Sequence, residues 1–156
     1  MGTALAEEYL EDSKAAANRA SELISKTFDF VGAIEAAQHS IELSVKALYL
    51  LVREEPPKEH HAGQEFLRKV ADRLSFSRNA ADYWKANLGR IMWISRMYEW
   101  AHTVSVYGYK GISASKLITK KDAEIASGYA YEVHLICRHI MDAVSRKEIS
   151  IGETSQ

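Results

Sequence analysis

The chain has 156 residues, of which 47% are hydrophobic and 26% are charged, the balance of one globular domain with enough apolar side chains for a core. Its two prolines and eight glycines favour long helices over sheets. The net charge of -1 excludes an overall attraction to nucleic acid or membranes, so contacts with phosphate must come from a local patch. We predict an all-α domain over residues 1–148 and a loose tail over residues 149–156.

Cysteine usage and the N-terminal composition predict the cellular compartment. Cys137 is the sole cysteine of the sequence and lies within a helical pattern. A single cysteine excludes an internal disulfide and is compatible with a reducing cytosol, so we expect it to fill core volume. The N-terminal segment is rich in Glu, Asp and Ala and contains no apolar run typical of a signal peptide or membrane span. We therefore predict a cytoplasmic protein that does not associate with membranes.

Apolar periodicity predicts two helices in the first third of the chain. The first covers residues 3–25, and its apolar face is expected at Leu5, Tyr9, Ala16, Ala20 and Leu23. The second begins after a capping Asp29 and carries the clearest core stripe, at Ile34, Ala37, Ile41, Val45, Leu48 and Val52. It must end before Pro56 and Pro57, because proline lacks an N–H and disfavours helical geometry in the residue before it.

Three further helices are predicted after the prolines. The third is short and carries Phe66, Leu67, Val70 and Leu74, followed by a break at residues 75–77. The fourth, capped by Asn79, carries a stripe at Trp84, Leu88, Ile91, Ser95, Tyr98 and His102. The fifth opens with Thr119 and Asp122, a variant of the S/T-x-x-E capping signature, and turns Ala126, Ala130, Val133, Cys137, Ile140 and Val144 to the core. Four long helices and one short helix predict an up-and-down antiparallel bundle.

The second predicted helix contains Gln38, Glu42 and Lys46 in the pattern Q-x3-E-x3-K-A. In this it resembles the signature helix of the HEPN family, the helical domains named for higher eukaryotes and prokaryotes nucleotide-binding. His61 follows the prolines where the family often has a Thr-His-Asp-Leu type turn, and the helix that begins at Thr119 is similar to the family's Thr-x-x-Asp-Ala-Glu opening. The resemblance covers residues 5–144 and implies a helical bundle that pairs as a homodimer.

Arg96 and His102 lie in the predicted fourth helix, separated by five residues. Many HEPN proteins are metal-independent ribonucleases in which an arginine, four to six residues and a histidine meet a second copy at the dimer interface, and the resemblance implies that role here. A histidine that titrates near neutrality can move the 2′-hydroxyl proton, and a guanidinium can stabilise the charge that develops on phosphate. Met97 departs from the family, because the residue after the arginine is often polar.

Helical geometry limits how these two side chains can cooperate. On a continuous helix they would lie ~120° apart around the axis and ~9 Å apart along it, whereas His102 continues the stripe that begins at Trp84. A functional site therefore requires a cleft at the edge of an interface. A structural interpretation stays open, in which His102 is a half-buried histidine bonded to Glu99, and Arg96 pairs with Glu99 from the other side.

The polar row on the second helix has two interpretations as well. Glu42 and Lys46 have the spacing of an ordinary i,i+4 ion pair on an exposed surface. In the functional interpretation, a polar groove or ligand contact is formed by Gln38, Glu42, Lys46, His61, Tyr98 and Glu99. The aromatic side chains concentrated in the fourth helix and its exit loop are expected in the core or in a dimer interface.

The sequence leaves three functions open. The first is a homodimeric endoribonuclease that cleaves RNA with Arg96 and His102 and needs no cofactor. The second, implied by the resemblance, is a non-catalytic module that binds a nucleotide or a small partner nucleotidyltransferase, as in toxin–antitoxin pairs; the third is a dimeric scaffold. No metal site is predicted, because a di-iron bundle needs two Glu-x-x-His units and the sequence has one, Glu99 with His102.

Overall fold

A computed structural model of the chain describes residues 2–58 and 65–152. Its helices are Gly2–Glu22 (α1), Phe30–Leu51 (α2), Phe66–Lys69 (α3), Ala81–Tyr98 (α4), Ala101–Tyr107 (α5), Ala114–Leu117 (α6) and Lys120–Ser145 (α7). A π-helical turn, Leu23–Thr27, extends α1, and a 3₁₀ turn, Ala71–Arg73, follows α3. Leu74–Phe76 (β1) and Ile149–Ile151 (β2) are short strands that pair antiparallel. The predicted all-α class is confirmed.

The long helices pack as an up-and-down bundle with α1, α2 and α7 at its centre and α4 against α7 and α2. Antiparallel packing of α1 on α7 is visible in two contacts. The Tyr131 hydroxyl donates to Asn18 Oδ1 over 2.5 Å, and Arg138, further along α7, donates to Glu11, which is earlier in α1, over 2.8 Å. Within the described residues, no helix combines the length and the apolarity needed to cross a bilayer.

The predicted face of α1 is confirmed at Ala20, which is buried, whereas most of the other buried positions lie one residue later than predicted. Leu5 is 42% exposed, whereas the buried positions are Ala6, Leu10, Ser13, Ala17, Ala20 and Ile24. Small side chains allow α1 and α2 to approach closely, so alanine and serine occupy the contact and larger apolar residues stand beside it. On α7 the predicted core positions from Ala126 to Ile140 are buried. Cys137 is among them, and burial raises the pKa of its thiol.

Two of the three predicted helix caps are confirmed. Asp29 accepts a hydrogen bond from the Gly32 N–H over 2.8 Å, and Thr119 and Asp122 form a complete capping box at the start of α7. The prediction for Asn79 was wrong, because Ala80 is the N-cap of α4 and makes no side-chain hydrogen bond there. A turn closed by the Ala80 N–H on the Ser77 carbonyl holds Asn79 outside the capping position.

The loose tail predicted from residue 149 was wrong for β2. Ile149 is buried, and β2 pairs in register with β1, which occupies most of the break predicted at residues 75–77. A three-residue strand holds only two inward side chains, too few for an alternating pattern to be recognised in sequence. Residues 153–156 of the predicted tail lie outside the described residues.

The predicted fourth helix is interrupted. It ends as α4 at Tyr98 and resumes as α5 at Ala101, after a turn at Glu99 and Trp100. Both turn residues keep right-handed helical dihedral angles, and neither is a glycine or proline, so no local signal announces the break. The end predicted near Gly108 is confirmed, because Gly108 follows α5 with a φ of 67°. The interruption separates Arg96 from His102.

Candidate active site on α4 and α5

Arg96 lies in the last turn of α4, and His102 lies in the first turn of α5. The Arg96 side chain is 51% exposed, and His102 is half-buried. The Ser105 hydroxyl donates to the His102 carbonyl over 3.0 Å and ties the histidine's backbone into α5. The two basic side chains are therefore carried on successive short segments, and Arg96 is open to solvent.

Glu99 occupies the turn between these two residues. Its Oε2 atom forms an ion pair with Arg96 Nη1 over 3.5 Å, and its side chain is only 10% exposed. The pairing of Arg96 with Glu99, expected in the structural interpretation, is confirmed. The second carboxylate oxygen, Oε1, is buried and has no hydrogen-bond partner. A buried carboxylate thus holds the guanidinium from one side only.

The polar row on α2 is buried. Gln38 donates to Glu42 Oε2 over 3.4 Å, and Lys46 Nζ lies 2.5 Å from Glu42 Oε1. Gln38 and Glu42 are buried, and Lys46 is largely covered. The predicted i,i+4 ion pair of Glu42 and Lys46 is confirmed, but it is covered rather than exposed. Both charges have lost much of their hydration, so their contact with each other matters more than it would on an exposed surface.

An apolar groove lies where α2, α4, α5, α6 and α7 meet, and its lining includes Met97 and Ala101, the sequence neighbours of Arg96 and His102. Its volume is about 430 Å³, and its lining includes Ile34, Met97, Trp100, Val104, Ile118 and Ile125. Trp100 is 74% exposed and Met97 is 41% exposed. Met97, the departure from the family pattern, thus contributes an apolar side chain to this surface. Exposed apolar clusters of this kind are typical of protein contact surfaces.

The groove, the interrupted helix and the buried polar row all lie within the part of the sequence that a family model matches. The HEPN domain model matches residues 6–140, which is most of the chain. The chain belongs to the HEPN family. HEPN domains commonly form dimers, and many are ribonucleases or nucleotide-binding modules. No curated protein and no solved structure matched the chain.

Tyr98 forms one wall of the groove of this HEPN domain. Its ring packs edge-on against Tyr129 at 5.9 Å, and its hydroxyl is desolvated. Burial raises the pKa of Tyr98 to about 12, with smaller contributions from Tyr129 and Asp122. The Tyr98 hydroxyl is therefore protonated at neutral pH and can act as a hydrogen-bond donor. His61, the remaining member of the predicted polar groove, lies outside the described residues.

A second polar cluster of the HEPN domain, missed in the sequence, connects α1, α2 and α7. Ser13 Oγ lies 3.1 Å from the Ser40 carbonyl oxygen, 2.5 Å from Ser44 Oγ and 3.4 Å from His134 Nδ1. All four residues are buried, and we call them the serine–histidine cluster. Desolvation lowers the pKa of His134, and the nearby Arg138 lowers it further. The residues come from three distant segments, so no sequence motif announces them.

The described part of this HEPN domain contains no group of three or more His, Cys, Asp or Glu side chains that could hold a metal ion. His134 contacts Ser13, and Glu99 contacts Arg96. The candidate site presents a guanidinium, an imidazole and a carboxylate.

Proposed function

We propose that this HEPN domain is a homodimeric endoribonuclease that cleaves RNA without a metal ion, with Arg96 and His102 as its catalytic residues. The observation that carries the proposal is the placement of a half-exposed guanidinium and a half-buried imidazole on α4 and α5, on either side of the turn at Glu99 and Trp100. A histidine can move the protons and an arginine can stabilise the phosphate charge of phosphodiester cleavage without a metal.

The reaction follows from the chemistry of the two groups. His102 accepts the proton of a ribose 2′-hydroxyl, and the 2′-oxygen attacks the adjacent phosphorus. Arg96 donates hydrogen bonds to the non-bridging phosphate oxygens, where negative charge accumulates. The bond from phosphorus to the 5′-oxygen breaks, and that oxygen takes a proton. The products are a 2′,3′-cyclic phosphate and a free 5′-hydroxyl.

A second copy of the chain completes this scheme. One imidazole that has just accepted a proton needs time to release it, whereas His102 of the partner subunit supplies an acid for the leaving oxygen in the same step. A two-fold axis would bring the same patch of both copies together. The exposed apolar side chains of Met97 and Trp100 favour such pairing, because association would remove them from water.

Purified protein tests the proposal through cleavage of single-stranded RNA in the presence of EDTA. We expect cleavage to end in 2′,3′-cyclic phosphate, and His102→Ala to slow it by about 100-fold or more, the usual contribution of a general acid or base. His39 is an exposed histidine on α2, so His39→Ala is the matched control and should retain full activity. Equal cleavage by wild type and His102→Ala, at equal melting temperature, would show that His102 is not catalytic.

A second function is favoured by a different observation. Trp100, in the turn before α5, and Tyr107, the last residue of α5, are 74% and 78% exposed. Large exposed aromatic side chains are typical anchors of protein–protein contacts. In this alternative the domain binds a nucleotide or a partner nucleotidyltransferase and performs no cleavage. Its expected signature is a raised melting temperature with nucleotide or with the partner enzyme, together with RNA that stays intact.

A further inference from the structure

Glu99 Oε1 is the sole buried side-chain nitrogen or oxygen without a hydrogen-bond partner in residues 2–58 and 65–152. A buried acceptor that lacks a partner lowers stability, because its hydration is lost without replacement. The atom lies in the turn between α4 and α5, three residues after Arg96 and three before His102. An unpaired carboxylate oxygen at this place calls for a donor that the described residues do not supply in this arrangement.

Other arginine–glutamate pairs of the chain show what a complete contact looks like. Arg90 reaches both oxygens of Glu132 over 2.6 and 3.2 Å, and Arg146 reaches both oxygens of Glu148 over 2.7 and 3.2 Å. Arg96 reaches Glu99 through a single contact of 3.5 Å. The Arg96–Glu99 pair is therefore half-made, although a guanidinium has the fork geometry to engage both oxygens of a carboxylate.

The two partners of this half-made pair differ in freedom. Packing fixes the Glu99 carboxylate, whose side chain is 10% exposed, whereas the Arg96 side chain is 51% exposed and has room to move. A closer, two-point contact would therefore require movement of the guanidinium toward the carboxylate. The guanidinium N–H groups that face away from Glu99 would then point outward along a direction set by the protein.

We propose that Glu99 is the positioning residue of the nuclease site: its two carboxylate oxygens hold the Arg96 guanidinium as a fork, and the outward N–H groups of Arg96 bind the phosphate of the RNA. This inference rests on the proposed function and adds a residue to it. Phosphate binding draws the guanidinium into one orientation, and the unpaired Oε1 receives its donor in the same movement. Glu99 touches no reacting atom and acts through Arg96.

A double-mutant cycle tests this role by single-turnover cleavage of RNA. We expect Glu99→Gln to lower the rate of the chemical step by about 10- to 100-fold, the usual effect of removing an outer-shell partner, with little change in KM. In an Arg96→Ala background the same substitution should have no further effect. Glu148→Gln, which removes a complete arginine–glutamate pair outside the site, is the matched control and should cleave at the wild-type rate.

Thermal unfolding separates positioning from a structural role. Glu99→Gln should melt at the wild-type temperature or above it, because it removes a buried charge with an unpaired oxygen and leaves the half-exposed Arg96 solvated. An equal loss of rate in both backgrounds, or no loss in either, would overturn the inference while leaving the nuclease assignment standing.

A physical readout keeps the two proposals distinguishable. If the wild type does not cleave RNA, the nuclease assignment fails, and NMR of the Arg96 Nε–H group in the presence of a 2′-deoxy oligonucleotide then decides the role of Glu99. A slowly exchanging signal in the wild type that is lost in Glu99→Gln would support the fork. The same signal in both proteins would refute it.

Discussion

The serine–histidine cluster and the segment from Arg96 to His102 each place a histidine near other polar groups, yet they differ in what completes them. In the cluster, Ser13 contacts Ser40, Ser44 and His134 inside the protein, and all four are buried. In the segment, one guanidinium faces solvent and one carboxylate oxygen lacks a partner. Polar groups whose hydrogen bonds are all made within the chain stabilise the fold. Polar groups that still lack a hydrogen-bond donor or an anionic partner indicate a binding site.

The packing around each region explains this difference. The cluster lies where α1, α2 and α7 approach closely over alanine-rich faces, so polar groups there must find partners within the chain. The segment lies where a helix is interrupted and where the apolar groove opens to solvent. The edge of the bundle therefore carries an open groove, whereas its centre is closed to solvent.

The largest expected effect comes from a substitution at the apolar groove next to the segment from Arg96 to His102. Trp100→Glu places a charge on the exposed rim of the apolar groove and should prevent pairing of two copies, because burying an unpaired charge is costly. We expect the mass measured by light scattering to fall from twice 17.6 kDa to 17.6 kDa, with loss of RNA cleavage. Leu135→Glu, at an exposed leucine outside the groove lining, is the control. A Trp100→Glu protein that stays dimeric would contradict the proposed interface.

The second test disrupts the serine–histidine cluster. Ser13→Ala removes the hydroxyl that joins three helices and leaves the buried Ser44 hydroxyl and the His134 ring short of a partner. We expect urea denaturation to show a free energy of unfolding lower by about 1–3 kcal/mol. RNA cleavage by the folded fraction should be unchanged, because the cluster does not reach the candidate site. A loss of cleavage without a loss of stability would mean that the two regions are coupled.

The smallest expected effect is a dependence of stability on pH that originates in His134. Burial, with a smaller effect of Arg138, lowers the pKa of His134 in the folded protein below its ordinary value of 6.5. The unfolded chain therefore binds a proton more readily. The contribution of His134 to the free energy of unfolding is fully present above pH 6.5. It decreases as the pH falls below 6.5 toward the pKa of His134 in the folded protein.

Urea unfolding of His134→Gln measures this contribution. We expect the variant to lose less stability than the wild type between about pH 7.5 and pH 5.5, since it has no proton to gain at this position. His39→Gln, at an exposed histidine, should keep the wild-type slope. Identical slopes in the wild type and His134→Gln would assign the pH dependence to other groups.

Local signals were sufficient to predict most of the fold. The caps at Asp29 and Thr119 and the long apolar stripes of α2 and α7 depend on residues three or four positions apart, and these predictions are confirmed. The break at Glu99 and Trp100 and the pairing of β1 with β2 depend on tertiary contacts and carry no local signal. Periodicity located Ala20 correctly on the buried face of α1 and placed the other core positions one residue too early.

The sequence suggested which residues belong to the candidate site, but it did not predict their burial or their contacts. The resemblance singled out Arg96 and His102 by their spacing and implied their chemistry, and their catalytic role stays a prediction. Burial of Gln38 and Glu42, and the unpaired oxygen of Glu99, result from how neighbouring helices cover them, which a one-dimensional pattern does not record. The serine–histidine cluster joins residues more than a hundred positions apart in sequence and is visible only in three dimensions.

The interruption between α4 and α5 bears on how this site tolerates evolutionary change. In an unbroken helix, each residue inserted between Arg96 and His102 would rotate the histidine by ~100° relative to the arginine. Because the helix is interrupted at Glu99 and Trp100, the packing of α5 on α2 does not depend on the helical phase of α4. An inserted residue would therefore change the turn and leave the helices in place. We expect that relatives with four, five or six residues between the two side chains differ mainly in the length of this turn, while the bundle beneath keeps its register.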